Sequence, residues 1–310
     1  MPALTITTWN GSVNTLWDTA GNWSNGVPTA NGIAIIDGAV SITGGAVTSG
    51  GGAGDLNGIF VAYSYTGSIG SAGTPLQIDP KQVSYDATSG SSASYLDLTG
   101  VINTTPDVYI DGATSNGGLH LSGDIALLVV APSFVGTLTL GNSATFTADI
   151  QHLQMMASGG TIDAGNASNV VWQDNSDVRI TGGQLIIAEN FGSNSTCTIS
   201  GGTLLVNAWN KGATSGDTLI ILGGTVNWLG GVPTFAATST TGIDDIIILG
   251  GTFTLGTNVN GYVSFDTVMQ YGGNIDFEAS FANVDIDTKY SRFGGTFIPP
   301  KQSSIVTTRL

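Results

Sequence analysis

Charged residues are scarce in this sequence, and basic residues are the scarcest. Only 9% of the 310 residues are charged, and seven lysines and arginines stand against 22 acids, of which only Glu189 and Glu278 are glutamates. Glutamate and lysine are good helix formers, so this composition argues against a helical protein. The apolar content of 41% is too high for a disordered chain. The composition therefore predicts a folded protein built mainly from strands and turns.

Features of disulfide-bonded, secreted and membrane proteins are also missing. Cys197 is the only cysteine, which excludes an intramolecular disulfide and the usual cysteine motifs for metals. Residues 1–5 have neither the basic nor the apolar region of a secretory signal, and no stretch has the length of a membrane span. We therefore expect a protein that is made and used without a secretory signal and has no membrane partner; a removed signal or a non-standard export route is the alternative.

The few charges are unevenly distributed along the chain. Residues 1–287 contain all 22 acids and three bases, which gives a net charge of −19, whereas residues 288–310 contain four bases and no acid, which gives +4. An acidic body argues against a nucleic-acid partner. The basic end predicts either a contact with an acidic protein surface or a set of scattered, solvated charges. The candidate contact residues are Lys289, Arg292, Lys301 and Arg309.

Glycine is abundant, and its pairs recur at nearly regular intervals. The chain has 46 glycines, about twice the usual share. From Gly159 onward, and apart from Gly230-Gly231 in a longer gap, seven Gly-Gly pairs are spaced at intervals of 23, 19, 22, 27, 22 and 22 residues. A period of this size indicates a solenoid or a related array. The pairs begin at Gly159, Gly182, Gly201, Gly223, Gly250, Gly272 and Gly294.

Alternating, strand-like segments lie on both sides of these pairs. Asp245-Ile-Ile-Ile-Leu249 precedes one pair, and Thr252-Phe-Thr-Leu255 follows it. Because glycine adopts positive φ without steric cost, each pair suits a corner between two strands. About 22 residues fit one turn of a parallel β-helix, in which every second side chain enters the core. We therefore predict an all-β solenoid, with an antiparallel β-sandwich or jelly roll as the alternative.

The regularity of this pattern sets the predicted boundaries. The solenoid body spans residues 34–298 and is most regular over 159–298. Residues 1–33 form a tryptophan-rich cap, which is needed because the end of a solenoid otherwise exposes its core. Residues 299–310 form a basic tail, since Pro299-Pro300 cannot pair in a ladder.

Tryptophans are concentrated near the start of the chain. They occur in Trp9-Asn-Gly11 and in Trp17-Asp-Thr-Ala-Gly-Asn-Trp23-Ser-Asn-Gly-Val-Pro28. This opening resembles the tryptophan-rich start of Gly-rich β-helical proteins, which include bacterial surface proteins and tailed-phage virion proteins. Tyr65-Thr-Gly-Ser-Ile-Gly-Ser-Ala-Gly-Thr-Pro-Leu76 is similar to the phage group. The resemblance covers about the first 80 residues.

The resemblance implies a structural protein of a phage virion. The implied role is that of a non-enzymatic head decoration or cement protein, a homotrimer that binds the major capsid protein at the capsid surface after synthesis in the host cytoplasm. A tailspike or fibre that binds or cleaves host polysaccharide is one alternative, and it directs attention to Trp172, Trp209 and Trp228 as groove residues. A bacterial surface adhesin is another.

The cap tryptophans also have a purely physical interpretation. Trp9, Trp17, Trp23 and Pro28 lie within 20 residues of one another. Each indole can bury roughly 150–250 Å², which predicts a plug for the open end of the coil. An exposed aromatic platform for sugar or protein is the alternative.

Acidic residues recur before the later Gly-Gly pairs. They predict a row along one edge, which either binds Ca²⁺ or consists of ordinary turn residues at the start of strands. The row comprises Asp217, Asp244, Asp266 and Asp287.

Other titratable residues give no catalytic pattern. The neighbouring acids Asp244-Asp245 and Asp285/Asp287 leave a glycosidase pair open, but no sequence context distinguishes them. His120 and His152 are the only histidines, and two cannot complete a zinc site without carboxylates. We therefore assign no catalytic, cofactor-binding or metal-binding residue.

Overall fold

A computed structural model describes most of the chain and divides it into two compact units. The units are Met1–Asp163 with Ser168–Val170, and Ala164–Ala167 with Val171–Leu310. The described residues are 4–47, 56–87, 93–98, 105–112, 118–141, 147–165, 170–187, 194–207, 216–229, 242–256, 262–278, 283–299 and 306–307.

The first unit consists of short strands and one 3-10 turn at Ala20–Asn22. The last of its strands ends at the unit boundary. The strands are β1 (Ile6–Thr8), β2 (Ile33–Ile36), β3 (Gly45–Ala46), β4 (Gly58–Val61), β5 (Leu76–Gln77), β6 (Gln82–Tyr85), β7 (Ser94–Asp97), β8 (Asp107–Ile110), β9 (Leu119–Val130), β10 (Thr137–Leu140), β11 (Ala148–Met155) and β12 (Thr161–Ala164).

The second unit is built in the same way, and its first strand starts at the boundary. The strands are β13 (Val170–Ile180), β14 (Gln184–Ile187), β15 (Thr196–Ile199), β16 (Thr203–Val206), β17 (Thr218–Ile221), β18 (Thr225–Trp228), β19 (Gly242–Ile248), β20 (Thr252–Leu255), β21 (Tyr262–Gln270), β22 (Asn274–Asp276), β23 (Asn283–Arg292), β24 (Thr296–Ile298) and β25 (Val306–Thr307).

Strands in the second unit pair in parallel with the strand two places further along the chain. The odd-numbered strands form one face, here called face 1, and lead into a Gly-Gly corner. The even-numbered strands form face 2 and lead away from it. The chain is thus a parallel β-solenoid with about 23 residues per turn. This confirms the predicted fold and excludes the antiparallel sandwich.

The first unit has the same two faces with less regular turns. Strands β1, β2, β4, β6 and β8 form its face 1, and β3, β5 and β7 start its face 2. The long strand β9 serves both faces, because its start pairs with β7 and its end pairs with β8. From face 1 to face 2 the chain passes through longer segments, such as residues 62–75 between β4 and β5, instead of a short Gly-Gly corner, and the sequence period is accordingly weaker upstream.

Alternation of side chains builds the core of each turn. On face 2 of the second unit, Leu204, Val226 and Phe253 lie in register and are fully buried. Thr203, Thr225 and Thr252 precede them in register and face outward. Inward apolar side chains at every turn remove a continuous ladder of apolar surface from water.

Each regular corner requires both of its glycines. The second glycine has φ between +67° and +77°, a conformation that side chains with a Cβ rarely adopt. A Cβ on the first glycine would come within 2.4–2.5 Å of a carbonyl oxygen of the preceding turn, as at Gly201 and Gly272. The close stacking of turns therefore excludes side chains at both positions.

The first predicted pair differs from this rule. Neither Gly159 nor Gly160 has positive φ, and a Cβ on Gly160 would meet the ring of Phe134 instead of a neighbouring corner. The regular corner thus begins at Gly182-Gly183, one pair later than the sequence predicts.

Polar side chains close the end of the second unit. The inward column of face 1 changes from Ile248 to Gln270 and then to Arg292. Gln270 is fully buried, accepts from the Tyr290 hydroxyl at 3.2 Å and donates to the Thr296 carbonyl at 2.9 Å. The apolar ladder is therefore replaced by hydrogen-bonding groups where the core ends.

The chain after the last corner returns to its own coil. Strand β24 ends at Ile298, directly before Pro299. Val306 and Thr307 of β25 then pair in parallel with Asp285 and Ile286 of β23. Part of the predicted basic tail thus extends face 1.

Within the described part of the chain, no helix has the length and apolar character needed to cross a membrane.

Candidate functional site

The three predicted cap tryptophans form one buried cluster. The ring centroids of Trp9 and Trp23 are 5.1 Å apart, those of Trp17 and Trp23 are 4.6 Å apart, and both pairs meet edge to face. The Trp9 indole N–H donates to the Val40 carbonyl at 2.9 Å, and that of Trp23 donates to the Trp17 carbonyl at 2.7 Å. Each side chain is at most 3% exposed, so the cluster supports a plug and does not offer an exposed aromatic platform.

The cap is continuous with the first turn of the coil. Ile6 of β1 pairs in register with Ile33 of β2, and the Trp9 backbone N–H donates to the Ile35 carbonyl at 2.8 Å. Pro28, which the sequence places with the tryptophans, is also buried. The indoles therefore pack against a turn whose position is fixed by strand pairing.

Asn22 fixes the loop between the tryptophans, and the sequence pattern did not identify it. Its side chain is fully buried, its Oδ1 accepts from the backbone N–H groups of Val13 and Asn14, and its Nδ2 donates to the Leu16 carbonyl at 2.8 Å. The sequence feature that could have identified Asn22 is its position next to Trp23. A polar side chain within an apolar cluster has to be hydrogen bonded, so an asparagine there indicates a structural role.

Two of the four predicted basic contact residues are described. Lys289 and Arg292 are both exposed on β23, whereas Lys301 and Arg309 lie outside the described residues. Arg292 also donates to the Gly295 carbonyl at the end of the core. Lys289 lies opposite Thr267 on the outer surface of face 1. The structure therefore gives Arg292 a capping contact and leaves Lys289 at the surface.

The predicted acidic row continues a row of serines. The Ser176 N–H donates to Ser195 Oγ at 3.1 Å, the Ser195 N–H to Asp217 Oδ1 at 3.1 Å, and the Asp217 N–H to Asp244 Oδ2 at 3.2 Å. Asp217 and Asp244 are 4% and 6% exposed. Asp217 and Asp244 thus accept from the backbone of the preceding turn, which supports a structural use of these two members of the row. Asp266 is half-buried at a register shift between Phe265 and Thr267.

Metal and acid–base chemistry find little support in this row. Asp244 is buried while Asp245 is on the outer side of the same strand, so these neighbours point to opposite faces and cannot flank one bond. The side chains of Asp285 and Asp287, and Glu189, lie outside the description. Among the described residues, no group of three or more histidines, cysteines, aspartates or glutamates is placed to hold a metal ion.

His120 is the more informative of the two histidines. Its ring stacks on Tyr95 with centroids 4.2 Å apart and an interplanar angle of 9°. Burial lowers the pKa of His120 below its ordinary value. The pair forms part of the outer surface of face 2, where His120 lies opposite Thr139.

Two of the three tryptophans suggested for a polysaccharide groove are described, and both are buried. Trp172 is 5% exposed and Trp228 is 1% exposed, while Trp209 lies outside the described residues. Buried indoles fill the core and cannot stack on a sugar ring.

An exposed row of apolar side chains runs along the corner of the second unit. Leu222, Leu249, Tyr271 and Phe293 each directly precede a Gly-Gly pair, and we call these four residues the apolar ridge. They are 47%, 50%, 50% and 69% exposed, respectively. The Tyr271 and Phe293 rings stack with centroids 4.9 Å apart. The sequence pattern missed this ridge, because its residues belong to segments that were interpreted as core strands.

The chain matches no family model, and comparisons with curated proteins and with solved structures found no match either. Its function is therefore inferred from its own residues and from the resemblance of about its first 80 residues.

Proposed function

We propose that this chain is a structural protein of a tailed-phage virion, a head decoration or cement protein that binds the capsid as a homotrimer. Two segments near the start of the chain carry the proposal. The segment around Trp9, Trp17 and Trp23 resembles the opening of Gly-rich β-helical surface and virion proteins, and residues 65–76 are similar to the phage group. In this chain the tryptophans of the first segment are buried against the first turn of the solenoid. Such packing supports a role of the segment in keeping the solenoid rigid.

The construction of the solenoid suits a stabilising role. Its turns are joined by parallel ladders in register, and most of its inward side chains are apolar. The buried carboxylates of Asp217 and Asp244 accept backbone hydrogen bonds, so their chemistry is used to hold turns together. Such a body resists local opening, because few backbone groups along a ladder can be released without breaking their neighbours.

A charged contact would orient this body on a capsid. Residues 288–310 carry four bases and no acid, and Lys289 is exposed on β23. An acidic patch on the major capsid protein would attract this end and repel the acidic remainder of the chain. Complementary charge of this kind fixes orientation more than it adds affinity.

Co-sedimentation with expanded capsids tests the proposal. The wild-type chain is expected to pellet with capsids, and the variant Lys289→Glu/Lys301→Glu/Arg309→Glu to bind at least about tenfold more weakly, since each change reverses a charge at the basic end. Lys81→Glu is the matched control, because it reverses one exposed charge in the first unit and should leave binding unchanged.

Two outcomes would contradict the proposal. A wild-type chain that ignores capsids at micromolar concentration would remove the decoration role. Release of reducing ends from host polysaccharide by the purified chain would favour the tailspike alternative instead.

A further inference from the structure

The apolar ridge is a continuous row of exposed apolar side chains on the described surface of the second unit. Its four residues occupy consecutive turns, and the backbone N–H groups of Leu249 and Tyr271 each donate at 2.8 Å to the face 1 strand of the preceding turn. Strand pairing therefore fixes the ridge residues at the strand spacing of about 4.8 Å.

The outward side chains on both sides of the ridge are uncharged. On the face 1 side, Ile220, Ile247 and Met269 lie in register as half-buried outward residues. On the face 2 side, the neighbouring outward positions are Thr225, Thr252, Asn274 and Thr296. Neither set of flanking residues contains a charged side chain, although the whole chain has a net charge of −15. The exposed Arg292 directly precedes Phe293 at the last turn of the ridge.

The size of this surface fits a protein contact. Two half-exposed leucines and two aromatic rings offer roughly 300–400 Å² of apolar surface. A standard interface buries about 800 Å² on each partner around an apolar and aromatic centre. The ridge is large enough to be that centre, with the flanking columns as its surroundings.

We infer that the occupant of the ridge is a second copy of this chain, and that the ridges of parallel copies meet in register at the axis of the homotrimer. This inference rests on the oligomer in the proposed function and assigns its interface. A second ridge has the same spacing between turns, so each leucine or ring meets its counterpart layer by layer. Acidic bodies repel one another elsewhere, which leaves a neutral strip as the favourable place for copies to meet.

Sedimentation equilibrium at 10 µM measures the interface directly. The wild-type chain is expected at three times the 31.5 kDa chain mass. Leu249→Asp and Phe293→Asp are each expected to weaken association at least thirtyfold, because they place a charge on the shared axis. Both positions are exposed, so the circular dichroism spectra should remain unchanged. Val171→Asp, at a position 50% exposed on β13, is the matched control and should stay trimeric.

Salt dependence and cross-linking distinguish the ridge from a charged interface. Raising the salt from 20 to 500 mM should strengthen association, because it screens repulsion between acidic bodies. If the copies associated through their basic ends instead, the same increase in salt would weaken their association. Under mild oxidation, Leu249→Cys should form cross-linked dimers within the trimer, and Val171→Cys should not. Cys197 is buried and does not interfere.

The failure of this inference can be separated from that of the proposed function. A monomeric wild-type chain, or a Leu249→Asp variant that stays trimeric, would overturn the ridge as the self-association surface. If that trimeric variant also lost capsid binding, the ridge would be a capsid contact and the proposed function would stand. A trimer that depends on the ridge and ignores capsids would support the interface and remove the decoration role.

Discussion

At the scale of single residues, the second glycine of each regular corner meets two steric demands at once. Gly251 has φ of +72°, and a Cβ there would lie 2.5 Å from the Gly224 carbonyl oxygen. The first demand comes from the local turn and the second from the neighbouring turn of the coil. A glycine such as Gly38, with φ of +85° and no atom within 4 Å of an added Cβ, meets only the first.

Gly251→Ala should therefore cost more stability than Gly38→Ala. Backbone strain in the left-handed region is worth about 1–2 kcal/mol, and overpacking adds about 1–3 kcal/mol. We expect a loss of about 2–5 kcal/mol for Gly251→Ala and about 1–2 kcal/mol for Gly38→Ala, measured by chemical denaturation. Equal losses would show that the neighbouring turn adapts to the methyl group.

His120 gives the fold a defined dependence on pH. Burial lowers its pKa below the ordinary value of 6.5, so the unfolded chain takes up a proton at a higher pH than the folded chain does. His120 makes its full contribution to the free energy of unfolding above pH 6.5. This contribution is lost as the pH falls from 6.5 to the pKa of the folded state, and below that pKa the effect of His120 no longer changes with pH. Thermal unfolding between pH 7.5 and 5 should show a smaller decline for His120→Gln than for wild type. Identical slopes would contradict this assignment.

At the scale of elements, the cap and the strands next to it act as one unit. Trp23 contacts both other cap indoles, and its N–H bonds the Trp17 carbonyl. Asn22 holds the connecting loop from within. The cluster therefore combines apolar burial with hydrogen bonds that specify how the loop enters the first turn.

Trp23→Ala should remove about 3–5 kcal/mol from the stability of the first unit, since it deletes a fully packed aromatic side chain. Chemical denaturation followed by circular dichroism measures the change. Tyr63→Ala is the control, because Tyr63 is 65% exposed, and its effect should stay within about 0.5 kcal/mol. A small effect of Trp23→Ala would mean that the cap does not contribute to folding.

At the scale of the whole molecule, the solenoid is a repetition of one pairing rule. Strand β18 pairs with β20 and β20 with β22, always in parallel and without a change of register at the first three positions. Stability in such an array comes from contacts between neighbouring turns. The number of turns is therefore less constrained than the construction of each turn.

Deleting residues 252–273 should leave a folded protein with one turn fewer. The deletion joins Gly251 to Asn274, so β22 takes the place of β20 in the ladder. We expect an unchanged type of circular dichroism spectrum, cooperative unfolding and a smaller denaturant m-value, because less surface is exposed on unfolding. Deleting residues 252–262 is the contrasting variant: it brings a face 1 strand directly after the corner and should abolish folding. Loss of the fold in both variants would contradict the repeat rule.

Periodic features made much of the fold predictable. The Gly-Gly interval predicted the turn, and alternation around Thr252 and Phe253 predicted which residues enter the core. The burial of the cap tryptophans followed from their size. The corner at Gly159-Gly160 was predicted wrongly, because Gly160 lacks the positive φ of the regular second glycine and the Phe134 ring lies beside it.

The architecture followed from the residue pattern, because spacing and alternation act between neighbouring residues and repeat along the chain. Which side chains are exposed at the corners depended on the three-dimensional path of the chain. Leu222 and Phe293 have the same chemistry as core residues, and only the path of the backbone into each corner turns them outward. The hydrogen bonds of Asp217 and Asp244 also depend on the fold, because their partners come from neighbouring turns, 22 and 27 residues away in the sequence.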